Sequence, residues 1–182
     1  MTNAEEKLGM KETLYLKPVA AGSPDRELLD KMYAEAFPPN EWQPGCVKDE
    51  LNLPSGVWKA EEWLIMDGDI PVGPLSVLHT DKYAYLLFLA VSPRLQGKGY
   101  GSRVLTLFKN MYPDHIRFFD LEVPDESASN AAQRTARIRF YERNGYHLVD
   151  FEFEYHGVQL VVMTDCDDFV LTKEVKDICV AE

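Results

Sequence analysis

The chain has 182 residues, with 19 Lys and Arg against 30 Asp and Glu, a formal net charge of −11. That balance argues against general nucleic-acid binding, which needs a basic face to displace phosphate counterions. A hydrophobic content of 46% allows a sizeable core and argues against disorder away from the ends.

In chain order, residues 1–12 read as a polar leader without the cationic and apolar blocks of a secretory signal. "TLYLKPV" (13–19) alternates like a strand, and "PDRELLDKMYAEAF" (24–37) has helical spacing at Leu28, Leu29, Met32, Tyr33 and Ala36. "FPPNEWQPG" stops that helix, and a short helix around "CVKDELNL" follows. "VWKAEEWLIM" and "IPVGPLSVLHT" form a hairpin around the Asp-Gly of "DGD". "YAYLLFLAV" (83–91) is apolar on both faces, as a central strand covered on two sides should be. Its "LLFLAV" run is far too short to span a bilayer.

A helix is predicted from about Gly99 to Tyr112, with Val104, Leu105, Phe108, Met111 and Tyr112 on one face, and "YPD" ends it. "IRFFDLEV" (116–123) is another strand. "NAAQRTARIRFYERNG" (130–145) is a helix closed by Asn144-Gly145, residue types that favour a left-handed cap. "YHLVDFEFEY" and "VQLVVMT" make a second hairpin around His156-Gly157. The acidic tail, 165–182, fits a helix, an edge strand or a partner-contacting arm, packed on the domain or at an oligomer contact. The order implies one α/β (α+β, mixed-sheet) domain over 13–164. Cys46, Cys166 and Cys179 are odd in number and widely separated, without CxxC or zinc-finger spacing. They read as reduced cytoplasmic thiols with no metal site.

"AVSPRLQGKGYGSRVL" (90–105) places Gly97, Gly99 and Gly101 between a strand and a helix. Such turns favour anions, because free N–H groups and the helix dipole point at the ligand. A Walker A loop is excluded, since Lys98 lies between close glycines, and the dinucleotide fingerprint counted from Gly97 fails at Ser102. A methyltransferase-type loop would start at the strand end, whereas "SPRLQ" intervenes here.

Arg94-x-x-Gly97-x-Gly99 after "LAV" resembles the cofactor motif [QR]-x-x-G-x-[GA] of the GNAT superfamily of acyl-CoA-dependent N-acetyltransferases. "RFYERNGY" (139–146) is similar to that family's late motif F-Y-x-x-x-G-[FY], and "DGDIPVG" to its hairpin before the central strand. The resemblance covers about 13–164 and implies a mostly antiparallel, twisted sheet of six or seven strands, with a splayed central strand and flanking helices. It further implies acetyl-CoA as co-substrate, with its pyrophosphate on the N–H groups of Gly97, Lys98, Gly99, Tyr100, Gly101 and Ser102, beside Gln96. Arg94 and Lys98 add charge or are solvated cations. The pantetheine arm would pair with the backbone of Leu89, Ala90 and Val91.

Tyr141 holds the position where the family commonly places an acid for the CoA sulfur; without the motif it reads as an aromatic packing beside Phe140. Many members carry Glu or His on the central strand near Tyr85 or Leu87, and this chain has neither. Glu122 is the leading substitute base, with His79 weaker. Arg134 and Arg137 depart from the family pattern; they contact CoA phosphate or an acceptor carboxylate, or pair with Asp125, Glu126 or Glu142. Phe37, Glu41, Trp42, Tyr85 and Tyr155 are candidates for the acceptor pocket or are plain loop and core residues. The resemblance thus implies transfer from acetyl-CoA to a small-molecule or protein amine, by direct attack in a ternary complex. The alternative is a CoA- or acyl-CoA-binding regulatory module without catalysis. No nucleic-acid or membrane partner is expected, and a homodimer stays open.

Overall fold

Seven strands make one sheet in the order β1-β2-β3-β4-β5-β7-β6, as seen in a computed structural model that describes residues 13–37, 57–155 and 157–179. They are β1 (Leu14–Pro18), β2 (Lys59–Asp67), β3 (Ile70–His79), β4 (Tyr83–Leu89), β5 (Ile116–Glu122), β6 (His147–Tyr155) and β7 (Val158–Thr164). The helices are α1 (Arg26–Ala36), α2 (Tyr100–Met111), α3 (Ala131–Arg143) and α4 (Lys173–Cys179). The architecture is the expected α/β single domain with a mixed, mostly antiparallel sheet. β4 and β5 are the parallel pair, connected through α2. Their pairing covers Tyr83–Tyr85 against Ile116–Phe118 and then ends, although both strands continue. The leader, the segment around Cys46 and His156 lie outside the described residues.

Within this domain, packing distinguishes two compact units. The first takes residues 61–76 and 88–111 together with β1 and α1. Leu29, Met32 and Tyr33 of α1 are buried, at the spacing the sequence predicts. Arg26, at the start of α1, donates to the Val19 carbonyl at 3.1 Å and pairs with Glu62 at 2.7 Å. α2 buries Val104, Leu105 and Phe108. Gly68 (φ 58°) makes the β2–β3 turn, and its N–H donates to Thr13 O at 3.0 Å, which holds β1 beside the turn.

One further close approach in this unit requires glycine. A Cβ on Gly73 of β3 would lie 1.9 Å from the Ala90 carbonyl oxygen, so the end of β4 is held against β3 where no side chain fits. Ala90 N–H donates to Pro74 O at 3.2 Å, and Ser92 N–H to Val72 O at 2.8 Å.

The second unit holds 77–87 and the chain from Tyr112 onward, with 57–60 among the earlier described residues. Its core cluster contains Trp58, Leu78, Tyr83, Tyr85, Phe118, Phe153 and Val162, with Val175, Ile178 and Cys179 from α4. The tail, which the sequence left open among three forms, is therefore in part a helix with three residues in this core. Asn144 and Gly145 (φ 83°) close α3; Gly145 N–H donates to Glu142 O at 3.0 Å, and Tyr146 N–H to Tyr141 O at 3.1 Å. This is the left-handed cap that Asn-Gly announced. A register shift between Leu148 and Glu152 bulges β6 against β7. Among the described residues no helix is long and apolar enough to cross a membrane.

Gly73→Ala should cost about 1–3 kcal/mol, because the methyl group meets backbone rather than a movable side chain. Urea unfolding checks this: the midpoint should fall while the slope stays constant. An unchanged midpoint would mean that the end of β4 yields freely.

Candidate functional site

The chain after β4 turns through a short 3-10 segment, Pro93–Leu95, and enters the glycine stretch. Gly97 (φ 75°) and Gly99 (φ 80°) are left-handed, and a Cβ at either would meet nothing within 4 Å. Backbone conformation rather than space therefore calls for glycine at both. Between Leu95 N–H, which donates to Ser92 O, and Arg103 N–H, which donates to Gly99 O, no loop amide has a protein acceptor among the described residues. The first-turn amides of α2 have none by helix geometry. α2 carries no acidic residue in its first turn to compete with an anion.

Side chains brace this loop. Gln96 Nε2 donates to Val91 O at 3.0 Å, and the Tyr100 hydroxyl donates to Asp67 Oδ2 at 2.6 Å. The Tyr100 bond raises its own phenol, while bonds from Thr13 and Tyr100 hold the Asp67 carboxyl below the usual range. Arg103 lies over the Tyr100 ring at 5.5 Å. The side chains of Gln96 and Tyr100 are thus occupied in shaping the loop. Arg94 and Lys98 are exposed and form no ion pair among the described residues.

Successive strand residues direct their N–H groups to opposite edges. Since Ala90 and Ser92 donate toward β3, the N–H groups of Leu89 and Val91 point to the other edge. The register of β4 with β5 has ended four residues before Leu89, so no strand among the described residues takes them. Phe37, a predicted acceptor-lining residue, lies half-buried in this first unit, with its ring 6.2 Å from Tyr33 and 5.0 Å from Phe88.

Tyr141 on α3 sits among aromatic rings in the second unit: Phe119 at 4.2 Å, Phe140 at 5.0 Å and Tyr146 at 6.1 Å. The residue is half-buried overall, but burial at its hydroxyl pushes the phenol up to about 12, against a lowering effect of Arg137. Glu122, the predicted base, is committed elsewhere. Its Oε1 pairs with Arg134 at 2.9 Å, its Oε2 lies 3.7 Å from Arg137, and Asn130 Nδ2 donates to it at 3.2 Å. Arg134 also donates to Val123 O at 3.0 Å and Asn130 Oδ1 at 2.7 Å. The arginines thus pair with Glu122 rather than with Asp125, Glu126 or Glu142, and together they anchor the start of α3 to the end of β5. His79 packs with Tyr112 at 5.5 Å and His115 at 6.5 Å.

Tyr85 belongs to the core cluster of the second unit, and Tyr155 packs against that cluster. Glu41 and Trp42 lie outside the described residues. The residue that sequence reasoning missed is Asp120. The Tyr85 hydroxyl donates to its Oδ2, and burial raises its carboxyl to about 6 despite that bond. One signal was available. In "IRFFDLEV" strict alternation puts Asp120 on the face of Phe118, where an acid is out of place. No cluster of His, Cys, Asp and Glu suited to a metal occurs among the described residues.

Residues 57–148 match the family model "Acetyltransferase (GNAT) domain". No curated protein matches the chain by sequence. Among solved structures, the chain is similar to a putative GNAT acetyltransferase from Bacteroides thetaiotaomicron, with 22% identity, TM-score 0.70, and 90% of this chain and 93% of that one covered. An aminoglycoside 6′-N-acetyltransferase complexed with coenzyme A is 12% identical at TM-score 0.59, over 86% and 99% of the two chains. A Bacillus subtilis acetyltransferase in complex with CoA is 14% identical at TM-score 0.52, over 83% and 97%. These likenesses carry the fold alone; the family model covers half of the sequence, including the glycine loop and the Phe-Tyr motif, and so the chain belongs to the GNAT acetyltransferase family.

Proposed function

We propose that the protein is an acetyl-CoA-dependent N-acetyltransferase, moving the acetyl group to a primary amine by direct attack in a ternary complex. The observation that carries this reading is the run of unengaged amides from Gly97 to Ser102, set by two left-handed glycines at the start of a helix. Such a nest suits a diphosphate, and CoA is bound in two of the similar structures. Arg94 and Lys98 add charge at its rim. The free N–H groups of Leu89 and Val91 are the donors for the pantetheine arm and the thioester oxygen.

Tyr141 is assigned to the sulfur on its motif position. A phenol near 12 keeps its proton through the working range, so it donates a hydrogen bond to the developing thiolate. Acyl-cysteine chemistry gains no support. Burial pushes the Cys179 thiol up, away from the thiolate a nucleophile needs, and Cys166 is half-buried outside both motifs. The amine acceptor is a small molecule or a protein amino group.

Calorimetry with CoA, together with thiol release from acetyl-CoA across a panel of amines, tests the reading. Tight binding without turnover on any amine would favour a CoA-binding regulatory module. Gly97→Ala or Gly99→Ala should weaken CoA tenfold or more, since an L-residue held left-handed costs about 1–2 kcal/mol before any lost contact. Lys98→Ala should matter far less, as the amides remain; equal losses in all three variants would point to charge rather than backbone. Tyr141→Phe should lower kcat by about 10²-fold with CoA affinity unchanged. Because the phenol stays protonated, the wild-type rate should show no fall below about pH 10 that Tyr141→Phe removes. A limb near pH 8 abolished by that substitution would contradict the assignment.

A further inference from the structure

We propose that Asp120 is the catalytic base, accepting the proton of the acceptor amine on Oδ1 while Tyr85 fixes the carboxylate through Oδ2. The proposal rests on the N-acetyltransferase reading and supplies the base that the central strand lacks.

The geometry is confined to β4, β5 and the elements on their shared face. The Tyr85 hydroxyl donates to Asp120 Oδ2, and among the described residues nothing donates to Oδ1. Asp120 is half-buried as a residue, with Oδ2 held by Tyr85 and Oδ1 without a donor among the described residues. Val162 lies across β7 from Asp120, and Tyr85, Phe118, Val162 and Cys179 share one apolar cluster. The titratable groups beside it are the Tyr85 phenol from β4 and the Cys179 thiol from α4, whose own proton is held more tightly beside Asp120, together with Glu122 two residues on along β5, whose charge is paired with Arg134. β7 contributes no charge opposite it, and no cation pairs with it among the described residues. An unpaired carboxylate in such surroundings gains by taking up a proton. A carboxyl near 6 is better matched to an alkylammonium near 10 than an ordinary one.

The step balances. The acceptor ammonium gives one proton to Oδ1, and the freed lone pair forms the C–N bond to the thioester carbonyl carbon. The C–S bond breaks, its electron pair leaving on sulfur. The second N–H proton, lost as the amide forms, neutralises the thiolate. Asp120 then returns its proton to water.

The test uses the full chain with acetyl-CoA and three amines: spermidine, phenethylamine and a lysine-containing peptide. Asp120→Asn keeps the shape and the Tyr85 bond. It should lower kcat by about 10²-fold or more with CoA affinity unchanged, and abolish the acid limb of the rate profile near pH 6. Tyr85→Phe removes a bond that favours the ionised form, so the limb should move to higher pH rather than vanish. A purely structural role would leave that limb in place. A second readout needs no turnover. A folded-state pKa above the unfolded value makes ionised Asp120 destabilising, fully so above about pH 6 and not at all below the unfolded value near 4. Asp120→Asn should therefore melt higher than wild type at pH 8, and the difference should shrink toward pH 4. Wild-type turnover with Asp120→Asn within about threefold would overturn the Asp120 assignment alone. Absence of both CoA binding and thiol release in the wild type would overturn the enzyme reading and this assignment together.

Discussion

The end of β4 is held on one side only, and the candidate chemistry depends on that. Gly73 lets the Ala90 carbonyl approach β3 to a distance that any side chain would block, and the Ala90 and Ser92 amides bond in the same direction. Parallel pairing with β5 has already stopped at Tyr85. A strand bonded along one edge must leave alternate amides unsatisfied on the other, and such amides cost free energy unless something accepts from them. Leu89 and Val91 supply two such donors. The glycine loop supplies several more, turned outward by two left-handed residues. The chain has spent secondary structure to keep a line of main-chain donors available. An extended polar arm ending in a diphosphate uses donors of that kind.

Side-chain charge is organised differently. Asp120 and Glu122 stand two residues apart on one strand, yet their surroundings separate them. Glu122 meets two arginines and an asparagine, which hold both of its oxygens and make it a strut between β5 and α3. Asp120 has one phenol and an apolar neighbourhood, so the Tyr85 bond offsets only part of the loss of water around its charge. Proximity to cations decides between the two. Glu122 has both oxygens engaged, whereas Asp120 Oδ1 has no donor among the described residues.

Much of the fold was legible because local signals agreed with one another. Asp67-Gly68 predicted a hairpin and makes one, Asn144-Gly145 predicted a left-handed stop and provides it, and the spacing of Val104, Leu105 and Phe108 marked the buried face of α2. The glycine loop was legible for a related reason: alternating glycines before a helix leave few backbone alternatives. Side-chain partnerships were harder to foresee, since they depend on register between strands far apart in the chain. Tyr85 and Asp120 are 35 positions apart, and Arg134 meets Glu122 only because α3 folds back on the end of β5. The tail was ambiguous because a short acidic stretch with scattered apolar residues suits several elements. Its placement followed from tertiary packing of Val175, Ile178 and Cys179.

Environment also separates the two protons that acetyl transfer must handle. Desolvation acts on Asp120 and Tyr141 in the same sense, disfavouring the charged form of each, but their starting points differ by about six units. The carboxyl rises only to about 6 and is still mostly ionised at neutral pH, ready to take a proton. The phenol, raised to about 12, is fully protonated and can only donate. One physical effect, the exclusion of water, therefore yields an acceptor and a donor, and the Arg137 charge only partly opposes it at the phenol. Pairing Asp120 with an arginine, as Glu122 is paired, would return its carboxyl toward the ordinary range and widen the gap to an alkylammonium. That no cation pairs with Asp120 among the described residues is thus as much a part of the proposed site as the carboxylate itself.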